Sequence, residues 1–338
     1  MKAIFLQAPG CLALTEIVSP SAPNPDEAIV RVAGVGICGS DLHAYKGEQN
    51  FINYPLILGH ELGVEVIAIG ANASQYGIAV GDRCAVIPYM PCGHCIACRN
   101  GKTNCCVNLQ LLGVHVDGGM REQFAVPLNL LIKANTLSFD LLAIIEMLSV
   151  GAHAVKRSQI QSGEKVLVIG AGPIGLATAA FAQLAGADIA LLELSDFRIE
   201  FCRQQSMNVI DGKSQADSKL RDLTDGQMFP LVFDATGSAA SMMNALNYVA
   251  HGGRLIYAGH VKGELTFKDP EMHKRELTLY CSRNATPADF KYVIGMLEKK
   301  QVDVNRWITH RVSPEGLIRE LPSWLEPGSQ VVKAVLEF

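Results

Sequence analysis

Four cysteines stand close together in one stretch, Cys92-Gly-His-Cys95-Ile-Ala-Cys98, followed after seven intervening residues by Cys106. Spacings this short can bring four thiolates around one tetrahedral zinc ion. Four sulfurs leave no coordination position open, so such a metal builds structure and does no chemistry. Half of the ten cysteines fall in this loop. The N-terminal residues Met1 to Pro9 are too short and too soon interrupted to read as a secretory signal. A reducing, cytoplasmic setting with free thiols is therefore expected. Cys105 breaks the spacing by one and reads as a bystander.

A second chemistry-bearing stretch is Val166-Leu-Val-Ile-Gly170-Ala-Gly172-Pro173-Ile174-Gly175. Its glycines follow a strand pattern and open a helical one. Gly170 permits the tight turn, Gly172 lets backbone approach a pyrophosphate, and Gly175 lets helix and strand pack closely. The helix N-terminus offers unpaired N–H groups to the phosphates. An acid, Glu193, ends the next strand pattern eighteen residues beyond Gly175. A carboxylate there binds the adenosine ribose hydroxyls and repels a 2′-phosphate, which favours NAD over NADP. Arg198 lies nearby, able to accommodate a 2′-phosphate or simply to begin the following helix. Two shorter strings, Cys38-Gly-Ser40-Asp-Leu-His43 and Gly59-His60-Glu61, place further zinc-type ligands in loops between strands. Neither string is sufficient alone.

These residues need elements to hold them. Residues 1 to about 150 read as short β-rich pieces, with strands at Ile29 to Val32, Gly63 to Ile69 and Arg83 to Ile87, the texture of a barrel or sandwich. From about residue 160, apolar strands alternate with helical runs. The strands are Lys165 to Ile169, Ile189 to Glu193, Leu231 to Ala235 and Arg254 to Ala258, with helices Ile174 to Ala185, Phe197 to Gln204 and Ala239 to Val249 between them. Unbroken apolar strands of this kind belong to a parallel sheet covered on both faces. A helix (Ala288 to Lys300) and strands at Trp307 to Val312 and Val331 to Phe338 follow, and pattern alone assigns them to neither part. Hydrophobic residues make up 49% of the chain, charged residues 18%, and the net charge is −4. That balance argues against nucleic-acid or anionic-membrane partners, and no apolar run reaches the ~18–20 residues of a membrane span.

Gly-Ile-Cys38-Gly-Ser40-Asp-Leu-His43, Gly59-His60-Glu61, the four-cysteine lobe and the glycine fingerprint together resemble the zinc-dependent medium-chain dehydrogenases. The resemblance implies an α/β protein: a Rossmann, doubly wound parallel sheet domain at 151–284, and a β-rich GroES-like catalytic domain at 1–150 and 285–338. It implies two zinc ions per chain and NAD. Cys92, Cys95, Cys98 and Cys106 would hold the structural zinc. Cys38, His60 and Glu146 would hold the catalytic one, with Glu61 placed to enter or leave. Ser40 and His43 would relay the proton; loop capping is the alternative for both, and an even match for His43 alone. Gly170, Gly172, Pro173, Ile174, Gly175, Glu193, Leu194, Arg198, Thr236, Gly237 and Gly259 would line the cofactor. The activity implied is hydride transfer from an alcohol to NAD by a homodimer or homotetramer.

Three further stretches resemble the sugar-acid branch, the L-galactonate and L-gulonate 5-dehydrogenases: Val86 to Cys92, Leu112 to Gly119, and Gly263 to Pro270 with Ser282 to Pro287. An aldonate carries a carboxylate, which an arginine binds bidentately. Arg283 is the candidate, with Asn284 and His115 as further substrate partners, and Arg283 is equally able to make a structural ion pair. A polyol or L-threonine dehydrogenase shares every zinc and nucleotide motif. A non-catalytic NAD-binding regulator is the rival from another class, disfavoured by an intact Cys38, His60 and Glu146.

Overall fold

The computed structural model describes residues 1–49, 52–326 and 328–338. Met1–Met147 and Thr286–Phe338 form one unit, and Leu148–Ala285 the other.

In the first unit the strands run in the order Leu131–Lys133, Arg83–Val86, Glu61–Ile69, Glu27–Ile37, Lys333–Leu336, Ile308–Val312, and Gln123–Pro127 also pairs with Glu27–Ile37. The tail thus completes this sheet: Lys333–Leu336 pairs antiparallel with Glu27–Ile37, Ala334 opposite Ile37. Val30, Val32, Val35, Val64 and Val66 are fully buried. Stiff, β-branched side chains suit a pleated surface, and each such burial stabilises by roughly 1.5–3 kcal/mol.

The strand expected over Ile29 to Val32 runs on to Ile37, through Gly34 and Gly36. Those glycines mark close approach of neighbouring groups. A Cβ on Gly36 would stand 2.3 Å from Glu61 Oε2 and 2.6 Å from Ala143 O. The glycine makes room for a carboxylate.

The second unit is a six-stranded sheet, every pairing parallel, in the order Val209–Asp211, Asp188–Glu193, Lys165–Ile169, Phe229–Asp234, Val249–Tyr257, Thr278–Cys281. Successive residues Val166, Leu167 and Val168 are all fully buried, so both faces of the sheet are covered, as the unbroken apolar runs require. Strand order reverses between Lys165–Ile169 and Phe229–Asp234, where an open parallel sheet leaves a crevice at its carboxyl edge. The helix expected over Ala239 to Val249 stops at Asn244, followed by a 3₁₀ turn, Ala245–Tyr248. Val249 already belongs to the next strand, whose register shifts opposite Phe229 and Leu231. Gly252, with φ +73°, lets the chain bulge there.

Candidate functional site

The four-cysteine lobe is built from the short helix Ile96–Arg99, the 3₁₀ turn Thr103–Cys105 and the loop before them. The sulfurs of Cys92, Cys95, Cys98 and Cys106 lie within 4.8 Å of one another. Cys95 Sγ is 3.4 Å from Cys98 Sγ and 3.9 Å from Cys106 Sγ. All four thiols are free. Four thiolates at zinc–sulfur distance make a tetrahedron with edges of about 3.8 Å, so the group fits a closed zinc site. Backbone N–H groups of Cys98 and Val107 hold the Cys95 thiol down to about 6, while burial and the Cys95 sulfur push the Cys98 thiol up to about 12.

A second group of potential ligand atoms, from Cys38, His60 and Glu61, also lies within 4.8 Å. Cys38 is the N-cap of the helix Gly39–Tyr45, and its backbone N–H donates to Asp41 Oδ2 at 2.9 Å. His60 and Glu61 stand where the strand Glu61–Ile69 begins. Lys333, buried to 2%, donates from Nζ to Glu61 Oε1 (2.6 Å) and Ile37 O (2.9 Å). Glu61 Oε2 also lies 2.5 Å from the same Nζ, and His60 Nδ1 stands 3.7 Å from Asp41 Oδ1.

Three ligand-type side chains converging in one buried pocket make a place for a cation the chain itself does not supply. Asp41, Glu61 and Glu146 bury three carboxyl groups here, faced by the Lys333 ammonium. Burial opposes a charge on His60, yet Asp41, Cys38 and Glu146 outweigh it and hold the imidazole well above its ordinary range. The pocket favours a cation, and the soft-to-borderline donor set suits zinc.

Glu146 is nearby but outside this set. It sits in the first turn of the helix Ile145–Ser158, 7% exposed, and accepts a hydrogen bond from the Tyr89 hydroxyl. The carboxylate grouped with Cys38 and His60 is Glu61. Ser40 Oγ lies 3.3 Å from His60 Nε2, at the metal-ligand cluster. His43 turns outward and pairs through Nδ1 with Glu48 Oε2 at 2.6 Å. Among the described residues no hydrogen bond joins Ser40 to His43.

At the carboxyl edge of the parallel sheet, Gly172 caps the helix Pro173–Leu184, with Pro173 and Ile174 in its first turn. A Cβ on Gly175 would sit 1.8 Å from Gly170 O, so only glycine fits. Glu193 is 8% exposed. Its Oε2 accepts the Ala171 N–H (2.7 Å), and Oε1 accepts those of Leu194 (2.6 Å) and Ser195 (2.8 Å). Its charge is thereby fixed against the glycine loop. Leu194 is exposed. Arg198 Nη1 lies 3.6 Å from where a Gly172 Cβ would stand. The Asp234 carboxylate accepts both the N–H and hydroxyl of Thr236, and the Asp234 carbonyl accepts the Gly259 N–H. Gly259 lies against Gly237. Thr236, Gly237 and Gly259 thus gather at this edge.

His115 lies in the first unit, exposed, its Nδ1 accepting the Leu111 N–H at 3.1 Å. Arg283 and Asn284 lie in the second unit, just past the edge strand Thr278–Cys281, Arg283 exposed and Asn284 left-handed at φ +52°. Three residues of the metal pocket went unread in sequence: Asp41, Lys333 and Tyr89. Asp41 carried a signal as the third residue after a helix cap. Lys333 carried another, as a lone charge in an apolar terminal strand. Tyr89 carried none.

A closed thiolate centre, a second buried donor set and a nucleotide-type parallel sheet are the parts of one kind of enzyme, and the chain belongs to the zinc-type alcohol dehydrogenase family. Residues 24–136 match the alcohol dehydrogenase GroES-like domain, and residues 173–299 match the zinc-binding dehydrogenase domain. It is 38% identical to L-galactonate-5-dehydrogenase of Escherichia coli K12, over 94% of this chain and 93% of that one. Sorbitol dehydrogenase of Bacillus subtilis is 33% identical over 76% of this chain and 75% of its own. Among solved structures, the alcohol dehydrogenase rspB of E. coli CFT073, complexed with NADH, superposes with a TM-score of 0.91 at 27% identity, covering 100% of this chain and 99% of that one. The protein is an oxidoreductase. Among the described residues no helix is long and apolar enough to cross a membrane.

Proposed function

We propose that this enzyme oxidises a secondary alcohol of a six-carbon sugar acid with NAD, most specifically C5 of L-galactonate or L-gulonate, giving a keto-uronate. The observation that carries the redox reading is the Cys38–His60–Glu61 set, whose potential ligand atoms converge within 4.8 Å of one another. The full-length likeness to L-galactonate-5-dehydrogenase supports the sugar acid.

Cys38, His60 and Glu61 would hold one zinc, and the four-cysteine lobe the other. Bound at the first set, zinc supplies Lewis acidity that makes an alcohol easier to deprotonate, and NAD supplies the hydride acceptor. The chain's own part is positioning. Asp41 and Lys333 fix His60 and Glu61, and the half-buried Ser40 hydroxyl at His60, which can both accept and donate, would take the alcohol proton while passing its own to water. Gly170, Gly172 and Gly175 receive the pyrophosphate, and the fixed charge of Glu193 selects against a 2′-phosphate. Arg283 would hold the substrate carboxylate, with Asn284 beside it on a hydroxyl; His115 is a separate candidate for substrate contact.

The test is NADH formation on a panel of hexonates, polyols and threonine. A hexonate should be preferred. Removing a cation from a desolvated carboxylate site costs about 2–5 kcal/mol, so Arg283→Ala should lose roughly 30-fold or more in kcat/KM on the hexonate. An uncharged polyol should lose much less. Equal losses on both would place Arg283 in cofactor or backbone positioning. Preference for sorbitol or threonine over every hexonate would refute the sugar-acid assignment and leave the zinc dehydrogenase standing.

A further inference from the structure

The metal pocket holds two buried glutamates where one carboxylate completes the donor set, and each is held by a different partner. Lys333 holds Glu61. Tyr89 holds Glu146, its hydroxyl donating to Oε1. The tether is itself well anchored. Tyr89 is 4% exposed and lies on the strand Tyr89–Met90, which pairs with Gln110–Leu111 and runs directly into the cysteine lobe at Cys92. Its ring meets Phe290 edge-on, centroids 6.1 Å apart at 82°. A ring fixed by a strand on one side and an aromatic edge on the other cannot follow a moving carboxylate.

We propose that Tyr89 is a positioning residue that keeps Glu146 out of the metal's ligand set, so that Glu61 is the coordinating carboxylate and a position stays open for substrate. This rests on the reading that Cys38, His60 and Glu61 hold zinc. A carboxylate oxygen committed to a buried phenol must give up that bond to reach a metal. Leaving a buried hydroxyl without an acceptor is unfavourable, and no other acceptor for the phenol is seen among the described contacts. Ligands and their hydrogen-bonding partners act on the metal as one unit. The four-cysteine lobe would then have a second effect, because its order aims the strand that carries Tyr89.

Tyr89→Phe removes one oxygen and keeps the ring against Phe290. Glu146 should then be free to bind. Zinc at the open site, measured by competition with a chromophoric chelator, should be held more tightly, because the freed carboxylate adds a fourth protein ligand. The visible spectrum of the cobalt-substituted protein should change, as an added oxygen ligand requires. Adding Glu146→Gln to Tyr89→Phe should abolish both effects. Glu146→Gln alone is the second test, should Tyr89→Phe fail to fold: its cobalt spectrum should match that of the parent. An unchanged or weaker zinc affinity in Tyr89→Phe, or an altered cobalt spectrum in Glu146→Gln alone, overturns the proposal. If the parent protein binds zinc only at the four cysteines, the underlying reading fails instead, and the zinc count distinguishes the two.

Discussion

Lys333 offers the sharpest test of the metal pocket, because one side chain 272 residues away in sequence neutralises Glu61. Lys333→Met keeps an unbranched chain of similar length and removes the charge. Both partners are buried, with side-chain exposures of 2% and 0%. Removing one partner of a buried ion pair leaves the other uncompensated, at a cost of about 3–5 kcal/mol. The Ile37 carbonyl also loses its donor. A unit of about 200 residues shifts its melting point by ~2–4 °C per kcal/mol, so a fall of ~6–20 °C is expected in chelator-treated protein. In zinc-loaded protein a cation remains beside Glu61, and the fall should be markedly smaller. Replacing both partners, as Lys333→Met with Glu61→Leu, should recover much of the loss in chelated protein. Calorimetric melting with and without zinc reads all of these. The reasoning is refuted if chelated Lys333→Met melts within ~2 °C of its parent, or if zinc gives no protection.

The remaining expectations concern the rest of the site. Elemental analysis should find two zinc ions per chain, and Cys95→Ser should lower the count to one while reducing stability, because a closed zinc site contributes directly to folding. NAD should exceed NADP by at least ~10-fold in kcat/KM, for which ~1.4 kcal/mol of repulsion between Glu193 and a 2′-phosphate suffices; equal use of both would mean that Arg198 outweighs Glu193. Iodoacetamide at neutral pH should label the exposed Cys11, Cys105 and Cys281 and spare Cys84 and Cys202. Burial pushes the last two thiols up to about 12, and thiolate is the nucleophile; peptide mass spectrometry would show which residues carry the label.

Sequence alone was enough where a function lies within a short span. The spacing of Cys92, Cys95, Cys98 and Cys106 already dictates that their sulfurs converge, because few backbone paths join neighbours so close. The same holds for Gly170, Gly172 and Gly175, whose roles follow from one strand, one turn and one helix start. The parallel sheet was legible for a similar reason: strands buried on both faces show as unbroken apolar runs, and Lys165–Ile169 appears with the limits read from sequence.

Tertiary structure decided what depends on distant partners. Only the pairing of Lys333–Leu336 with Glu27–Ile37 brings a lysine to Glu61. Only folding sets the Tyr89 hydroxyl on Glu146, 57 residues away, and so draws the expected third ligand toward a phenol. Local pattern records which face of an element is buried. It does not record which group waits on the other side of that face, and in a buried pocket that partner determines where each carboxylate is held.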